Sequence, residues 1–378
     1  PAARRAAAPA LRPPSGAPPP GALARRFDEW AALQDIDGPE AQRLLREEDA
    51  AAQAFFADTA EFEQRVQGEA ARVLEPEAEA EAEIHGPFRY FQRHTPEGFA
   101  VFCRAPAAGG AVEVMLDTSE LAQTSAAGVA EVTVCKVSDD HRTLAYIADV
   151  VGDESYEMHF KTLGEGGGTW SARLPGVRSA EFLGGGGDGC AAEVLAVHMD
   201  PQTRRASRIV HHHVSRDGVV NDGELLWDET NQAAYLEVFR TKDREFVLLS
   251  SNTKDTSEVR VVRCRGGGSS SSTAPAPEPL SPRALLPPRV GVEYFAEHQA
   301  GAFYVISNHE RRDFAVYTLP ADAVAAAGGS WEQLVPCFVP PGDFHVTDAD
   351  LLRRWLVLYG HEAAEPRVCA VPIGPAGS

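Results

Sequence analysis

Residues 234–263 read AYLEVFRTKDREFVLLSSNTKDTSEVRVVR. The stretch predicts three short strands, YLEVF, EFVLLSS and SEVRVVR, separated by the polar turns TKDR and NTKDT. Because side chains alternate along a strand, Phe246 and Leu248 share one face of the middle strand, and Val247 and Leu249 share the other. Both faces of this strand are apolar, so we expect both to be covered.

The third strand of this stretch is expected to be the outer one and to be half exposed. Its Val259 and Val261 lie on one face, whereas Glu258 and Arg260 lie on the other. A middle strand covered on both sides, beside a half-exposed strand, is typical of a small antiparallel sheet stacked between similar sheets. This is the arrangement of a β-propeller blade.

The same alternation of strands and polar turns recurs along the chain at a spacing of about 45 to 58 residues, in the range of propeller repeats. Five further units of this kind lie at residues 88–121, 132–163, 181–214, 291–320 and 344–373. We therefore predict a mainly β fold, a β-propeller of which about six blades are present. A β-sandwich and two unrelated β-domains are the alternatives.

Three segments of different composition precede the predicted propeller. Residues 1–26 are rich in Ala, Pro, Gly and Arg and contain no acid, a balance found both in organellar transit peptides and in disordered leaders. Residues 27–74 carry apolar side chains at helical spacing and predict a helical region. Residues 75–86 begin EPEAEAEAE and predict a solvated acidic connector. Because the first residue is Pro1 and not Met, we expect a processed form or a fragment.

The predicted propeller spans residues 87–373 and is followed by a short tail at residues 374–378. Residues 266–288, GGGSSSSTAPAPEPLSPRALLPP, predict a disordered loop between two blades, and the glycine-rich residues 184–189 predict a surface loop. The long loop falls between two of the repeated units, so it does not mark a domain boundary.

Composition restricts the partners and the compartment. A net charge of −20 argues against nucleic acid and against an anionic membrane surface as partners, and no apolar run is long enough to span a bilayer. Without a CxxC pair, the cysteines predict buried free thiols in a reducing compartment. The location is then cytoplasmic, or plastid or mitochondrial if the leader directs import. The six cysteines are Cys103, Cys135, Cys190, Cys264, Cys337 and Cys369.

Neither of two common enzyme motifs is present both in full and in its usual structural context. The GxSxG turn, which exposes the serine of α/β-hydrolases, has no full match: Ser330 and Ser269 each follow a glycine at the right distance but lack the second glycine. Gly184, Gly186 and Gly189 match GxGxxG, but a strand pattern rather than a helix follows them, which argues against nucleotide binding.

Histidine patterns also fall short of a metal site. His211, His212 and His213 are consecutive, and since neighbouring strand residues face opposite sides, the three cannot converge on one ion. With no Cys or carboxylate at a ligand-like spacing, we expect a solvent-facing strand end. His361 and Glu362 begin an HExxH motif that lacks its second histidine. We therefore predict no catalytic, cofactor or metal site in these residues.

Several segments resemble the propeller of the prolyl oligopeptidase family of serine peptidases. They are SDDHRTLAYIADVVGDESYEMHFKTL at 138–163, RTKDREFVLLSSNTKDTSEVRVV at 240–262 and the stretch WEQLVPCFVPPGDFHVTDADLLRRWLVLYGHEAAEPRVCAVPI at 331–373. Upstream, FDEWAALQDIDGPEAQRLLREEDA is similar to the helical signature of that family, and GPFRYFQRHTPEGFAVFCR to the start of its first blade. The resemblance covers about residues 27–373 and is strongest to the branch of oligopeptidase B and prolyl endopeptidase-like proteins. The residues that keep the helical signature are Trp30, Asp35, Pro39, Glu40 and Glu48.

The resemblance implies an oligopeptidase in two parts. A seven-bladed propeller admits short peptides, excludes folded proteins, and caps an α/β-hydrolase domain with a Ser, Asp and His triad. The resemblance ends at about the sixth blade, so we carry over no catalytic residue and expect this chain alone to be inactive.

Two hypotheses about function follow from the resemblance. In the first, this is the N-terminal part of a serine oligopeptidase, and its partners are the hydrolase domain and short peptides. In the second, it is a binding or scaffold propeller without a hydrolase domain. We favour the first, because a ring one blade short exposes two apolar faces.

Overall fold

The computed structural model describes residues 28, 30–73, 81–185, 191–219, 223–265 and 280–373. The chain divides into two compact units, Pro1–Pro76 and Glu77–Ser378.

The first unit is helical, as its residue spacing predicts. A 3₁₀ turn precedes α1 (Pro39–Phe56), which is followed by α2 (Ala60–Val73). α1 starts with Pro39, whose missing N–H is not needed in the first turn, and Glu40 beside it complements the helix dipole. No helix among the described residues is long and apolar enough to cross a bilayer.

The second unit consists of six antiparallel sheets, which we number as blades 1 to 6 in chain order. Blade 1 contains β1 (Glu83–His85), β2 (Phe88–His94), β3 (Ala100–Pro106) and β4 (Glu113–Asp117). Blade 2 contains β5 (Glu131–Val137), β6 (Thr143–Asp149), β7 (Glu157–Thr162) and β8 (Thr169–Pro175). Blade 3 contains β9 (Val177–Gly185), β10 (Ala191–Met199), β11 (Ala206–Ser215), β12 (Gly218–Val219) and β13 (Glu224–Asp228).

The second half of the unit continues the same pattern. Blade 4 contains β14 (Tyr235–Arg240), β15 (Phe246–Asn252), β16 (Ser257–Arg263) and β17 (Arg283–Ala284). Blade 5 contains β18 (Tyr294–Gln299), β19 (Ala302–Ser307), β20 (Ala315–Pro320) and β21 (Val335–Phe338). Blade 6 contains β22 (His345–Leu351), β23 (Trp355–Glu362) and β24 (Glu365–Pro372). Two short helices accompany the blades, α3 (Thr118–Thr124) after blade 1 and α4 (Ala321–Ala327) within blade 5.

The blades pack face to face in chain order, which confirms the predicted propeller. Five hydrophobic clusters each take side chains from two successive blades, from blades 1 and 2 through to blades 5 and 6. The first strands of neighbouring blades converge, β5 beside β9, β9 beside β14 and β18 beside β22. Among the described residues no cluster joins blade 6 to blade 1. The outer face of blade 6 instead carries exposed Trp355, Tyr359 and Val368.

The middle strand of blade 4 confirms the prediction that both of its faces are covered. Residues 246–249 of β15 are all buried, so both faces of the strand are covered. In β16, Val259 and Val261 are buried while Glu258 and Arg260 are half-buried, as predicted. The expectation that β16 is the outer strand is wrong, because β17 pairs with it on the far side.

Residues 280–288 of the predicted disordered loop are ordered into blade 4, which corrects that prediction. β17 lies within them, and Leu285 and Leu286 are fully buried in the cluster between blades 4 and 5. A two-residue strand has no alternation to read, and the Pro- and Ser-rich composition around it concealed the leucine pair. The other residues of the predicted loop, 266–279, lie outside the described residues.

The predicted repeats are also shorter than the blades of the structure. β1 takes up residues predicted to be acidic connector and pairs with β2. β8 supplies an unpredicted fourth strand in blade 2, although its Trp170, Ala172 and Leu174 alternate with exposed residues as a half-buried strand requires. Blade 3 starts before and ends after the predicted unit, because β13 pairs with β11.

Replacement of Leu285 tests whether this segment belongs to the core. We expect Leu285→Ala to lower the free energy of unfolding by about 2–5 kcal/mol, because it removes fully buried methyl groups and leaves a cavity. Val290→Ala, at a side chain that is 88% exposed, is the matched control and should change stability by less than about 0.5 kcal/mol. Chemical denaturation of both variants measures the difference. Equal effects would show that Leu285 is not packed between the blades.

Candidate functional site

Residues 240–244 comprise the end of β14 and the polar turn that leads to β15; because they contact several blades, we call them the central turn. The backbone N–H of Arg244 donates to the carbonyl of Thr241 at 2.8 Å, which closes the turn. The Asp243 carboxylate accepts from the Thr241 hydroxyl at 2.8 Å and from the Glu245 N–H at 3.1 Å. Arg244 adopts a φ of 65°, in the left-handed region, which allows the chain to reverse sharply.

Arg240 joins the central turn to blades 2 and 3. Its guanidinium donates two hydrogen bonds to the carboxylate of Asp139, at 2.9 and 2.7 Å, and its side chain is only 8% exposed. Its backbone N–H donates to Glu181 at 3.2 Å, and Glu181 also pairs with Lys136. Burial alone would raise the pKa of Asp139, but Arg240 and Arg244 outweigh burial and hold it below its usual range. The carboxylate is therefore kept ionised opposite Arg240.

Arg244 joins the central turn to blade 1. Its Nε lies 3.2 Å from Asp139, and its Nη1 lies 2.8 Å from Nδ1 of His85 in β1. Burial, together with the charge of Arg244, lowers the pKa of His85 to about 4. The imidazole is therefore neutral at physiological pH and can accept a hydrogen bond from the guanidinium.

Lys242 and Asp243 join the central turn to blades 5 and 6. The backbone N–H of Lys242 donates to Glu297 at 2.9 Å, and its ammonium group pairs with Asp350 of β22. Asp243 lies 2.6 Å from Nδ1 of His298, which is almost completely buried. Burial raises the pKa of Glu297 to about 7, against the opposing effect of the Lys242 N–H.

The central turn therefore contacts each of the other five blades. A cavity of about 670 Å³ lies against it, lined by residues of blades 1, 2, 3 and 4. The lining mixes the cations Lys136, Lys242 and Arg244 with the carboxylates Glu83 and Glu181. The cationic side chains of the turn each face an acid or a neutral imidazole, so the arrangement joins the blades and pairs the charges of the turn. Apolar side chains such as Phe91, Phe102 and Phe182 make up much of the remaining lining.

The described residues of the serine, glycine and HExxH motifs are not among the residues that line this cavity. Ser330 caps a short 3₁₀ turn in blade 5 through a capping box with Gln333. His361 and Glu362 lie at the end of β23. Gly184 lies in β9. Gly186, Gly189 and Ser269 lie outside the described residues.

The expectation that His211, His212 and His213 form a solvent-facing strand end is wrong. They lie in the middle of blade 3 on β11, where His211 and His212 are buried, and not at a solvent-facing strand end. His211 and His213 share one face, as alternation requires, and their ring centroids are 4.6 Å apart. His212 faces the other way and lies 2.9 Å from His198, Nε2 to Nε2. The sequence pattern could not show which carboxylate the fold brings to His211 and His213.

The cysteines are less uniform than predicted. Cys103 is buried, but Cys337 is exposed, so the expectation of buried thiols fails at that position. Burial raises the pKa of Cys135 to about 12 and that of Cys264 to about 11. Cys135, Cys264, Cys337 and Cys369 are free thiols; Cys190 lies outside the described residues.

The residues of this chain match a known protein family over almost their whole length. The description of that family is prolyl oligopeptidase, N-terminal β-propeller domain, and the match covers residues 19–377. The chain belongs to the prolyl oligopeptidase family. The resemblance drawn from the strands of blades 2, 4 and 6 is thereby confirmed.

Curated relatives of this family member are named as peptidases. Protease 2 of Moraxella lacunata is 25% identical over 312 residues, which is 80% of this chain and 42% of the relative. Dipeptidyl aminopeptidase BI of Pseudoxanthomonas mexicana is 26% identical over 324 residues, again 80% of this chain and 42% of the relative. The chain thus spans less than half the length of these proteins.

Solved structures of other proteins have the same fold as this chain. Oligopeptidase B from Leishmania major superimposes with a TM-score of 0.75 at 19% identity, over 93% of this chain and 47% of the other. Oligopeptidase B from Trypanosoma brucei superimposes with a TM-score of 0.73, over 96% of this chain and 48% of the other. At this identity the likeness establishes the fold.

Removal of the Arg240 charge tests the role of the central turn. We expect Arg240→Met to lower the free energy of unfolding by about 2–3 kcal/mol, because it leaves the half-buried Asp139 carboxylate with one cation fewer. The matched control is Arg173→Met, since Arg173 forms an ion pair with Glu157 at 3.2 Å but is 56% exposed. The control should change stability by less than about 1 kcal/mol. A similar loss in both variants, measured by urea denaturation, would contradict a special role for the turn.

Burial of Glu297 makes the stability of the folded protein depend on pH. Its folded-state pKa of about 7 exceeds the ordinary value of 4.5, so the folded protein binds more protons and loses stability as pH rises from about 4.5 to 7. We expect Glu297→Gln to be more stable than the unsubstituted protein at pH 8, by about 1–2 kcal/mol after solvent screening, with no such gain at pH 4.5.

Thermal or urea denaturation at the two pH values measures this effect. Glu245→Gln in the same turn region is the control, since Glu245 is 48% exposed, and it should not reproduce the gain in stability at pH 8. A Glu297→Gln effect that does not depend on pH would refute the assignment.

Proposed function

We propose that this chain is the propeller part of a serine oligopeptidase, in which the propeller limits access of peptides to a hydrolase domain. The observation that carries the proposal is the match of residues 19–377 to the propeller of a peptidase family, in a chain that covers less than half of its peptidase relatives. The proposed substrates are short peptides, and the proposed partner is an α/β-hydrolase domain.

The exposed flank of blade 6 supports a further packing partner, which a seventh blade would provide. Each of blades 2 to 5 is covered on both faces by its neighbours, whereas Trp355, Tyr359 and Val368 of blade 6 are at least one-third exposed on one face. Tyr359 and Val368 are direct cross-strand partners, so the exposed side chains form one apolar patch. A patch of this kind is typical of a surface covered by a packing partner.

The centre of the propeller supports a role in selecting substrates by size. The cavity of about 670 Å³ is of the size that holds small ligands in proteins, and the central turn, tied to all other blades, lies at its wall. A few residues of an extended peptide fit such a volume, but a folded domain does not. Because the lining is held by ion pairs between blades, widening the cavity would require breaking them.

We assign no catalytic residue to this chain. In the proposed whole protein the chemistry belongs to the hydrolase domain, where a histidine accepts the proton of the serine nucleophile and an aspartate orients the histidine. The proposed location is the cytoplasm, or a plastid or mitochondrion if residues 1–26 direct import.

The native protein tests the proposal directly. An antibody raised against this chain should precipitate from the source cells a protein of roughly twice the mass of this chain, as the coverage of the relatives requires. That protein should react with a fluorophosphonate probe at one serine and should hydrolyse short fluorogenic peptides. The purified 378-residue chain is the control and should do neither.

Two outcomes would overturn the proposal. A native protein of the mass of this chain that does not react with the probe would show a binding or scaffold propeller. Labelling of the 378-residue chain at a single serine would show that the catalytic group lies within these residues.

A further inference from the structure

One side of blade 3 brings together three side chains that commonly bind metal ions. His211 and His213 lie two residues apart on β11, and Glu193 lies directly opposite His213 on β10. Nε2 of His211 is 3.5 Å from the Glu193 carboxylate, and Nδ1 of His213 is 3.7 Å from it. The potential ligand atoms of the three residues all lie within 4.8 Å of one another.

His211 provides an independent observation at this place. Its side chain is 3% exposed, and among the described residues its Nε2 atom has no hydrogen-bond partner. Buried polar atoms are almost always paired, so an unpaired imidazole nitrogen directed at a carboxylate requires an explanation. An ion between His211 and Glu193 would provide a partner for the imidazole nitrogen and for the carboxylate.

The separations of the ligand atoms are somewhat longer than those around a bound ion. With metal–ligand distances of about 2.0–2.1 Å, a tetrahedral zinc ion places its ligand atoms about 3.3 Å apart. Nε2 of His211 lies 3.5 Å from Oε2 of Glu193 and Nδ1 of His213 lies 3.7 Å from Oε1, and one ligand atom from each of the three residues lies within 4.8 Å of the others. Small side-chain rotations on a rigid pair of strands would therefore bring the ligands into place.

The surrounding groups are those that orient metal ligands. The Glu224 carboxylate lies 3.7 Å from Nδ1 of His211, on the side of the ring away from Glu193. It favours a proton on Nδ1 and so leaves the lone pair of Nε2 for a metal. Arg265 donates to Oε2 of Glu193 at 2.8 Å, and the other oxygen of that carboxylate, Oε1, faces His213. A hydrogen-bonded carboxylate is a common partner in such sites.

A direct hydrogen bond between His211 and Glu193 is the competing explanation. The Nε2–Oε2 separation of 3.5 Å is longer than an ordinary hydrogen bond, and Oε2 already accepts from Arg265 at 2.8 Å. An ion bound through Nε2 of His211 would engage His213 as well.

The histidine of the second cluster of acids and histidine already makes one short hydrogen bond, although its Nε2 is also unpaired among the described residues. This cluster consists of Asp243, Glu245 and His298. Nδ1 of His298 already pairs with Asp243 at 2.6 Å as part of the central turn. That contact links blades 4 and 5, and the cluster provides the experiment with an internal comparison.

We propose that His211 Nε2, His213 Nδ1 and the Glu193 carboxylate bind one divalent transition-metal ion of the zinc type, with water as the fourth ligand. Two imidazoles and one carboxylate suit zinc better than magnesium or calcium, which prefer oxygen ligands. The ion would connect β10 and β11 in blade 3. The site is separate from the proposed peptidase function and does not depend on it.

Zinc titration of the 378-residue chain after treatment with EDTA tests the site. Calorimetry should show one zinc ion per chain, and zinc should raise the melting temperature. His213→Gln and Glu193→Gln should each weaken zinc binding at least about tenfold, since even changes outside the ligand set weaken binding by about 10–100-fold. Cobalt in place of zinc should give the intense visible absorption of a tetrahedral ion in the unsubstituted chain only.

His361→Gln is the matched control, because it removes an exposed histidine of blade 6 and should leave zinc affinity unchanged. His213 is about one-third exposed, so its replacement is compatible with folding, which circular dichroism without zinc verifies. Absence of zinc binding by the unsubstituted chain would overturn the proposal. Equal affinity of the unsubstituted chain and His213→Gln would also overturn it, because the bound ion would then lie elsewhere, such as at Asp243 and His298.

Discussion

The ion pairs of the central turn are the interaction on which the arrangement of the blades depends. Among the described residues, apolar clusters join each blade only to the next, so they fix the order of neighbouring blades without fixing the curvature of the whole set. Residues 240–244 differ because they reach blades that are not adjacent, from His85 in blade 1 to Asp350 in blade 6. Charge pairs with defined geometry can specify such an arrangement where apolar packing alone does not.

The parts of the fold that could be predicted are those with a strong local pattern. The middle strand β15 is apolar on both faces, and its burial follows directly from its residues. Two-residue strands such as β17 carry no pattern, and its neighbour Leu285 stands in a Pro-rich segment whose composition suggested disorder. Their place is decided by the sheet edge and by the cluster they complete, which are properties of the folded chain.

The candidate sites were harder to predict for the same reason. The segment RTKDR at residues 240–244 is recognisable as a polar turn, but its partners come from five other sheets and no spacing in the sequence connects them. Likewise, alternation places His211 and His213 on one face, yet Glu193 reaches them only through the pairing of β10 with β11. Contacts across strands depend on register, and register is set by burial and by turns over the whole blade.

The proposed function agrees with this architecture. Paired charges join the blades of the propeller, and one apolar flank of blade 6 is exposed. The membership of the prolyl oligopeptidase family and the peptidase names of the relatives also agree with the proposed function. The chemistry itself would then lie outside the described residues.

Amide hydrogen exchange followed by mass spectrometry tests the central claim most directly. In the unsubstituted chain, the middle strands β6, β15 and β19 of blades 2, 4 and 5 should open with the same free energy, because the central turn couples their blades. In the variant R240Q/K242Q/R244Q these values should diverge from one strand to another. Equal opening free energies for the three strands in that variant would contradict the account.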